Sequence, residues 1–249
     1  MTGVEVELRD VRLAYGTREV LRGVSLHVAA GERICLVGPN GAGKSSLLRC
    51  LTGVATGRRG AILLDGVPLE EISREGLARR VAVVPGDVRL PFATRVEQVV
   101  SLGRLPHEHP LLGPSDADRA AVAAAMRRVG IAHLAQRDAR ELSLGERQLV
   151  VIAMAVAQAG GLLILDEPTV HLDLRHQVEV LELLVSLSAL DGLTVVAVLH
   201  DLAMAAHFFP RVVLLDDGAV VADGPPANVL APDQVGRVFG VDPRFAPVI

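Results

Sequence analysis

Gly38-Pro39-Asn40-Gly41-Ala42-Gly43-Lys44-Ser45 is the stretch that decides how this chain is read. It holds the one lysine among the chain's 25 Lys and Arg residues. A chain that writes every other such position as Arg and uses Lys here points to a site where a planar guanidinium will not serve. The pattern is G-x-x-x-x-G-K-[ST], the P-loop, whose chemistry needs a compact ammonium reaching the β- and γ-phosphates of a nucleotide. Its glycines let backbone N–H groups close around phosphate oxygens, and Ser45 offers a hydroxyl to a magnesium ion. The eight residues, with Ser46 just beyond, are therefore the candidate ATP-binding loop. The surroundings agree: the apolar run Ile34 to Val37 precedes the loop as a strand, and Ser45 to Leu51 follows as a helix.

Composition bounds the rest. A length of 249 residues suits one α/β domain with a sizeable core, and half the residues are hydrophobic, as a parallel sheet covered on both faces requires. The longest apolar run, Leu149 to Ala157, is far short of a bilayer span. Glu5 and Glu7 stand where a signal peptide would carry basic residues, so a cytosolic protein is expected. Net charge is −4 with the arginines dispersed, so nothing argues for nucleic acid as a partner. Cys35 and Cys50 fit small buried apolar positions in a reducing compartment.

Along the chain, Val4 to Leu8 and Leu21 to Val28 alternate apolar and polar residues, and Ile62 to Leu64 resumes the pattern. They read as half-buried antiparallel strands beside the P-loop unit. From about residue 91 to 158 the pattern is helical, broken by Pro106, Pro110 and Pro114, and predicts an inserted helical subdomain. A buried strand Leu162 to Leu165, a helix Arg175 to Leu190 and a second buried strand Val195 to Leu199 give βαβ organisation with a parallel sheet. Asp217-Gly218, between two apolar runs, signals a hairpin.

Two carboxylates, Asp166 and Glu167, stand at the carboxyl end of a buried strand, where α/β sheets bind their ligands. Asp166 suits support of magnesium, and Glu167 suits polarising the water that attacks a γ-phosphate. Ser143 and Glu146 have the spacing of a capping box, as any helix start could, but a helix N-terminus is also an anion site.

The stretch Leu142-Ser143-Leu144-Gly145-Glu146 resembles the LSGGQ-type signature of ABC ATPases. P-loop, helical insertion, signature, Asp-Glu-Pro and a strand ending in His200 occur in that family's order. The resemblance implies one ABC ATPase domain over residues 1–249, with a RecA-like parallel sheet, an antiparallel β subdomain and the helical insertion. It implies that Tyr15 stacks on adenine, that Asp173 is the D-loop aspartate, and that His200 reaches the γ-phosphate. Glu167, His200 and Lys44 become the catalytic set, with Ser45 and Asp166 on Mg2+. Ser143, Gly145 and Asp173 act on ATP held by a second copy in a head-to-tail dimer.

Two positions depart from the family. Leu144 replaces the first signature glycine, and Gly86, in Val83-Val84-Pro85-Gly86-Asp87, replaces the Q-loop glutamine. The missing side chain leads to the expectation of low basal turnover, raised by Gly86→Gln. The other outcome, a rearranged loop that Gln would crowd, stays open.

Residues 94–107, 169–177 and 238–241 resemble importers of ferric siderophores, haem and cobalamin. The resemblance implies an ATPase subunit at the inner face of the cell membrane, working with permease subunits and indirectly with a solute-binding protein. An ABC ATPase of another importer class is one alternative, and a soluble ABC ATPase of DNA repair or translation is another. The soluble kind would carry a long coiled coil or a second cassette, and this chain has neither. A regulatory ATP-binding module is a third reading.

Overall fold

A computed structural model describes residues 2–87, 93–109, 111–242 and 244. The chain opens with strands β1 (Val6–Tyr15), β2 (Arg18–Val28) and β3 (Arg33–Val37), then helix α1 (Lys44–Leu51). Next come β4 (Arg59–Leu64), β5 (Val67–Pro68), α2 (Arg74–Ala78) and β6 (Val81–Pro85). The helices α3 (Val96–Ser101), α4 (Asp116–Val129) and α5 (Leu144–Ala157) follow and pack on one another. The remainder is β7 (Leu162–Asp166), α6 (Leu174–Asp191), β8 (Thr194–Val198), α7 (Leu202–Phe208), β9 (Arg211–Asp216), β10 (Ala219–Gly224), α8 (Pro226–Val229) and α9 (Pro232–Phe239).

One sheet has the order β10-β9-β3-β8-β7-β6, parallel from β9 to β6 and closed by antiparallel β10. The other is antiparallel, in the order β2-β1-β4-β5.

Side chains on a strand alternate between its faces, and that alternation divides the apolar residues into two cores. Ile34, Leu36, Leu162, Ile164, Val196 and Val198 face α1 and the antiparallel sheet. Their neighbours Cys35, Val37, Leu163, Leu165, Val195 and Ala197 face the helices on the other side. Both faces of the parallel sheet are therefore buried, and so its strands read as continuous apolar runs while β1 and β2 alternate. Both cysteines are buried and free, as their setting implied.

The observed boundaries move by a few residues, each for a local reason. β2 begins at Arg18 because its backbone pairs with Tyr15 across a tight turn, a partner the apolar pattern does not register. β8 begins at Thr194, which pairs with Leu162. The predicted helical stretch from Pro91 starts outside the described residues, as does its Pro110, and its first helix is α3. The capping box is present: Glu146 N donates to Ser143 Oγ at 3.2 Å and Ser143 N to Glu146 Oε2 at 2.8 Å. So is the hairpin, with Asp217 and Gly218 at φ 42° and 82°. Its turn supports the P-loop, because Gly218 N donates to Ala42 O at 3.1 Å.

Candidate active site

The loop between β3 and α1 turns at the carboxyl edge of the parallel sheet, the edge at which open α/β sheets bind ligands. Lys44 lies in the first turn of α1, is buried, and donates from Nζ to Gly38 O at 2.6 Å and Pro39 O at 2.9 Å. The loop thus folds around its own ammonium. Burial pushes the Lys44 pKa down, and the nearby carboxylates of Glu167 and Asp166 oppose the shift.

β7 lies beyond β8 from β3 and ends in Asp166, which accepts a hydrogen bond from Ser45 Oγ at 3.2 Å. Burial raises the Asp166 pKa, and the Ser45 hydroxyl works against that rise. Ser45 and Asp166 offer hard oxygen donors, a set that fits Mg2+, which keeps several waters and shares substrate phosphates. Among the described residues no group of three or more His, Cys, Asp or Glu is placed to hold a metal ion.

Glu167 follows at φ 59°, a backbone conformation rare for a residue with a side chain, and its N–H donates to Val198 O at 3.2 Å. β8 delivers the next partner: just past its end, His200 Nε2 lies 2.6 Å from Glu167 Oε1. Lys44, Glu167, His200, Ser45 and Asp166 are therefore gathered at the ends of three adjacent strands.

A cleft of about 420 Å³ runs from Lys44, Ser45 and Glu167 to Tyr15, and Asp166 and His200 reach it through Ser45 and Glu167. Its walls include Asn40, Gly41, Gly43, Ser45 and Ser46 of the loop, with Lys44 and Glu167. Tyr15 is 48% exposed and so does not fill the core. Ala42 is buried and serves the loop through its carbonyl, while Gly38 and Pro39 serve it by holding Lys44. Arg18 and Val20 also line the cleft and were not singled out in the sequence. Their signal would have been position, a few residues past Tyr15 on the strand that returns beside it.

Ser143, Gly145 and Asp173 do not line this cleft. Ser143 caps α5 and Asp173 caps α6, and Leu144 between the signature residues is 55% exposed.

Gly86 requires a correction. A Cβ on it would lie 2.6 Å from Glu167 O and 2.7 Å from Asp166 O, closer than real Cβ atoms come to backbone. The chain end of β6 is pressed against the turn that carries both carboxylates, so Gly86→Gln has no vacancy to fill. The expected gain in turnover is replaced by the opposite expectation.

The family model described as ABC transporter matches residues 21–170. This chain belongs to the ABC transporter family. It is 41% identical over 254 residues to the cobalamin import ATP-binding protein BtuD of Halobacterium salinarum. That match covers 100% of this ABC chain and 62% of the relative, so the chain spans less than two thirds of that protein's length. It is 45% identical over 229 residues to the hemin import ATP-binding protein HmuV of Streptomyces coelicolor, covering 92% of this chain and 81% of that one. Among solved structures, an inward-facing ABC transporter described as of metal-chelate type aligns with a TM-score of 0.83 at 28% identity. That alignment covers 96% of this ABC chain and 90% of the other.

Proposed function

We propose that this chain is the ATP-binding and hydrolysing subunit of an importer of a metal chelate: a ferric siderophore, haem or cobalamin. The observation that carries the reading is that Lys44, Ser45 and Glu167 line one cleft, with Asp166 on Ser45 and His200 on Glu167, in a chain 41% to 45% identical to cobalamin and hemin import ATP-binding proteins.

ATP enters with its adenine against Tyr15 and its phosphates in the loop of residues 38–46. Lys44 exchanges the carbonyls of Gly38 and Pro39 for the β- and γ-phosphates. Mg2+ arriving with ATP would be held by Ser45 and Asp166 and would neutralise charge on the phosphates. Glu167 takes a proton from the attacking water as that water's oxygen bonds to the γ-phosphorus. The bond to the bridging oxygen breaks and ADP leaves. His200, whose Nε2 lies against the Glu167 carboxylate in the empty chain, turns its N–H to the γ-phosphate once ATP is bound. Little covalent chemistry is asked of the protein, and positioning supplies most of the rate.

Ser143, Gly145 and Asp173 stand outside the cleft of their own chain, which supports a head-to-tail dimer in which they act on the partner's ATP. Closure on ATP and release after hydrolysis would drive a separate permease at the inner face of the membrane. No helix among the described residues is long and apolar enough to cross a membrane. Residues 91–158 serve as the helical subdomain in this reading.

Affinity purification of the tagged chain from detergent-solubilised membranes tests the proposal. A permease that moves a ferric siderophore, haem or cobalamin should co-purify, and turnover should rise when its chelate-loaded binding protein is added. Co-purification with a permease for an unrelated nutrient would overturn the substrate class. Full turnover with no membrane partner, unaffected by adding one, would overturn the transport role.

A further inference from the structure

The imidazole of His176 packs against Gly145 of the signature. A Cβ built on Gly145 would fall 2.3 Å from His176 Cδ2, 2.7 Å from Cγ and 2.9 Å from Nε2. The other edge of the same ring is tied to the D-loop. Asp173 Oδ1 accepts from His176 Nδ1 at 2.8 Å and from the His176 backbone N at 2.9 Å. With Nδ1 donating, the ring orientation is set, and the Cδ2–Nε2 edge faces the first turn of α5.

Neither helix needs this ring for capping. Asp173 already caps α6 through the His176 backbone N–H, and Ser143 and Glu146 complete their own box on α5. The imidazole is an additional bridge between two helix N-termini that are remote in sequence, and it leaves no room for a side chain at position 145. It also gives Gly145 a reason to be glycine within one chain.

We infer that His176 is a positioning residue that fixes Asp173 and Gly145 as one rigid surface presented to the partner's ATP. The inference rests on the head-to-tail dimer proposed above. ATP bound to the free chain meets neither residue, so the ring governs closure and leaves first binding alone.

The test uses the Glu167→Gln chain, in which ATP should hold the dimer closed. Sedimentation measures dimerisation with ATP, and a fluorescent ATP analogue measures binding to the free chain. Adding His176→Ala should leave analogue binding unchanged and weaken dimerisation about tenfold or more, the size expected for loss of a hydrogen bond to a charged group. Gly145→Ala drives a methyl into the ring, so its penalty on dimerisation should shrink in the His176→Ala background, a non-additive pair. Should His176→Ala fail to fold, His176→Phe keeps a ring but has no donor for Asp173, and it should show the same selective loss. Wild-type dimerisation in these variants, or strictly additive effects, would overturn the inference while leaving the dimer intact. A Glu167→Gln parent that stays monomeric with ATP bound would remove the dimer reading, and the inference with it.

Discussion

A Cβ on Gly86 would sit 2.6 Å from the carbonyl oxygen of Glu167. That carbonyl belongs to the turn that aims both acidic side chains, so any side chain at position 86 displaces them. Gly86→Gln is expected to slow ATP hydrolysis, since a misplacement of about 1 Å costs on the order of 10²-fold in rate. Gly86→Ala should show most of the same loss, because the clash begins at Cβ. Steady-state phosphate release measures both, and a rate at or above wild type in a folded Gly86→Gln chain would mean that the turn yields.

Lys44 ties nucleotide binding to pH. Folding lowers its pKa, so its charge costs the empty fold free energy below that lowered value, and the cost fades as pH rises through it. Phosphate oxygens favour the ammonium and push the pKa back up. ATP binding should therefore take up protons at alkaline pH, and affinity should fall as pH rises toward the ordinary lysine value of about 10.4. Calorimetry in buffers of different ionisation enthalpy reads the proton count directly. Proton release on binding, or affinity that does not change over this range, would contradict the caged lysine.

Asp118 ties the helical region to acid stability. It accepts from Ser115 N at 2.9 Å, Ser115 Oγ at 2.6 Å and Arg104 Nε at 3.0 Å, and Arg104 in turn donates to Ala157 O at 2.8 Å. The Ser115 hydrogen bonds first, and then Arg104, hold its pKa at about 2. A carboxylate with a depressed folded-state pKa stabilises fully above its unfolded value of about 3.9, and that contribution is lost as pH falls toward 2. Urea midpoints measured down this range should fall for the wild-type chain and fall less steeply for Asp118→Asn. Equal slopes for the two proteins would remove Asp118 from the acid response.

The features legible in the sequence were those written locally. The P-loop, the capping box of Ser143 and Glu146, the Asp217-Gly218 turn and the continuous runs of β7 and β8 each state their geometry within a few residues. The start of β2 was not legible in the same way, because Arg18 joins the strand through its backbone pairing with Tyr15. Contacts between distant segments were hidden altogether. Nothing near Gly86 in the chain reveals that the Glu167 carbonyl lies against it, and nothing near Gly145 reveals the His176 ring. Each glycine is explained by what the fold brings beside it. The left-handed backbone of Glu167 is hidden for the same reason, since its N–H is bonded to Val198 O at the end of β8.

ATP-driven closure on a site that uses Glu167 as its base is tested most directly by Glu167→Gln. The substitution keeps the side chain's shape and removes the proton acceptor, a change worth about 10²–10⁴-fold in general-base catalysis. Sedimentation of the purified variant with and without Mg-ATP, alongside its phosphate release, is the measurement. The expected result is ATP binding at wild-type strength, hydrolysis reduced by that factor, and a dimer that appears only with ATP. A folded variant that binds ATP yet hydrolyses it at the wild-type rate and remains monomeric would contradict it.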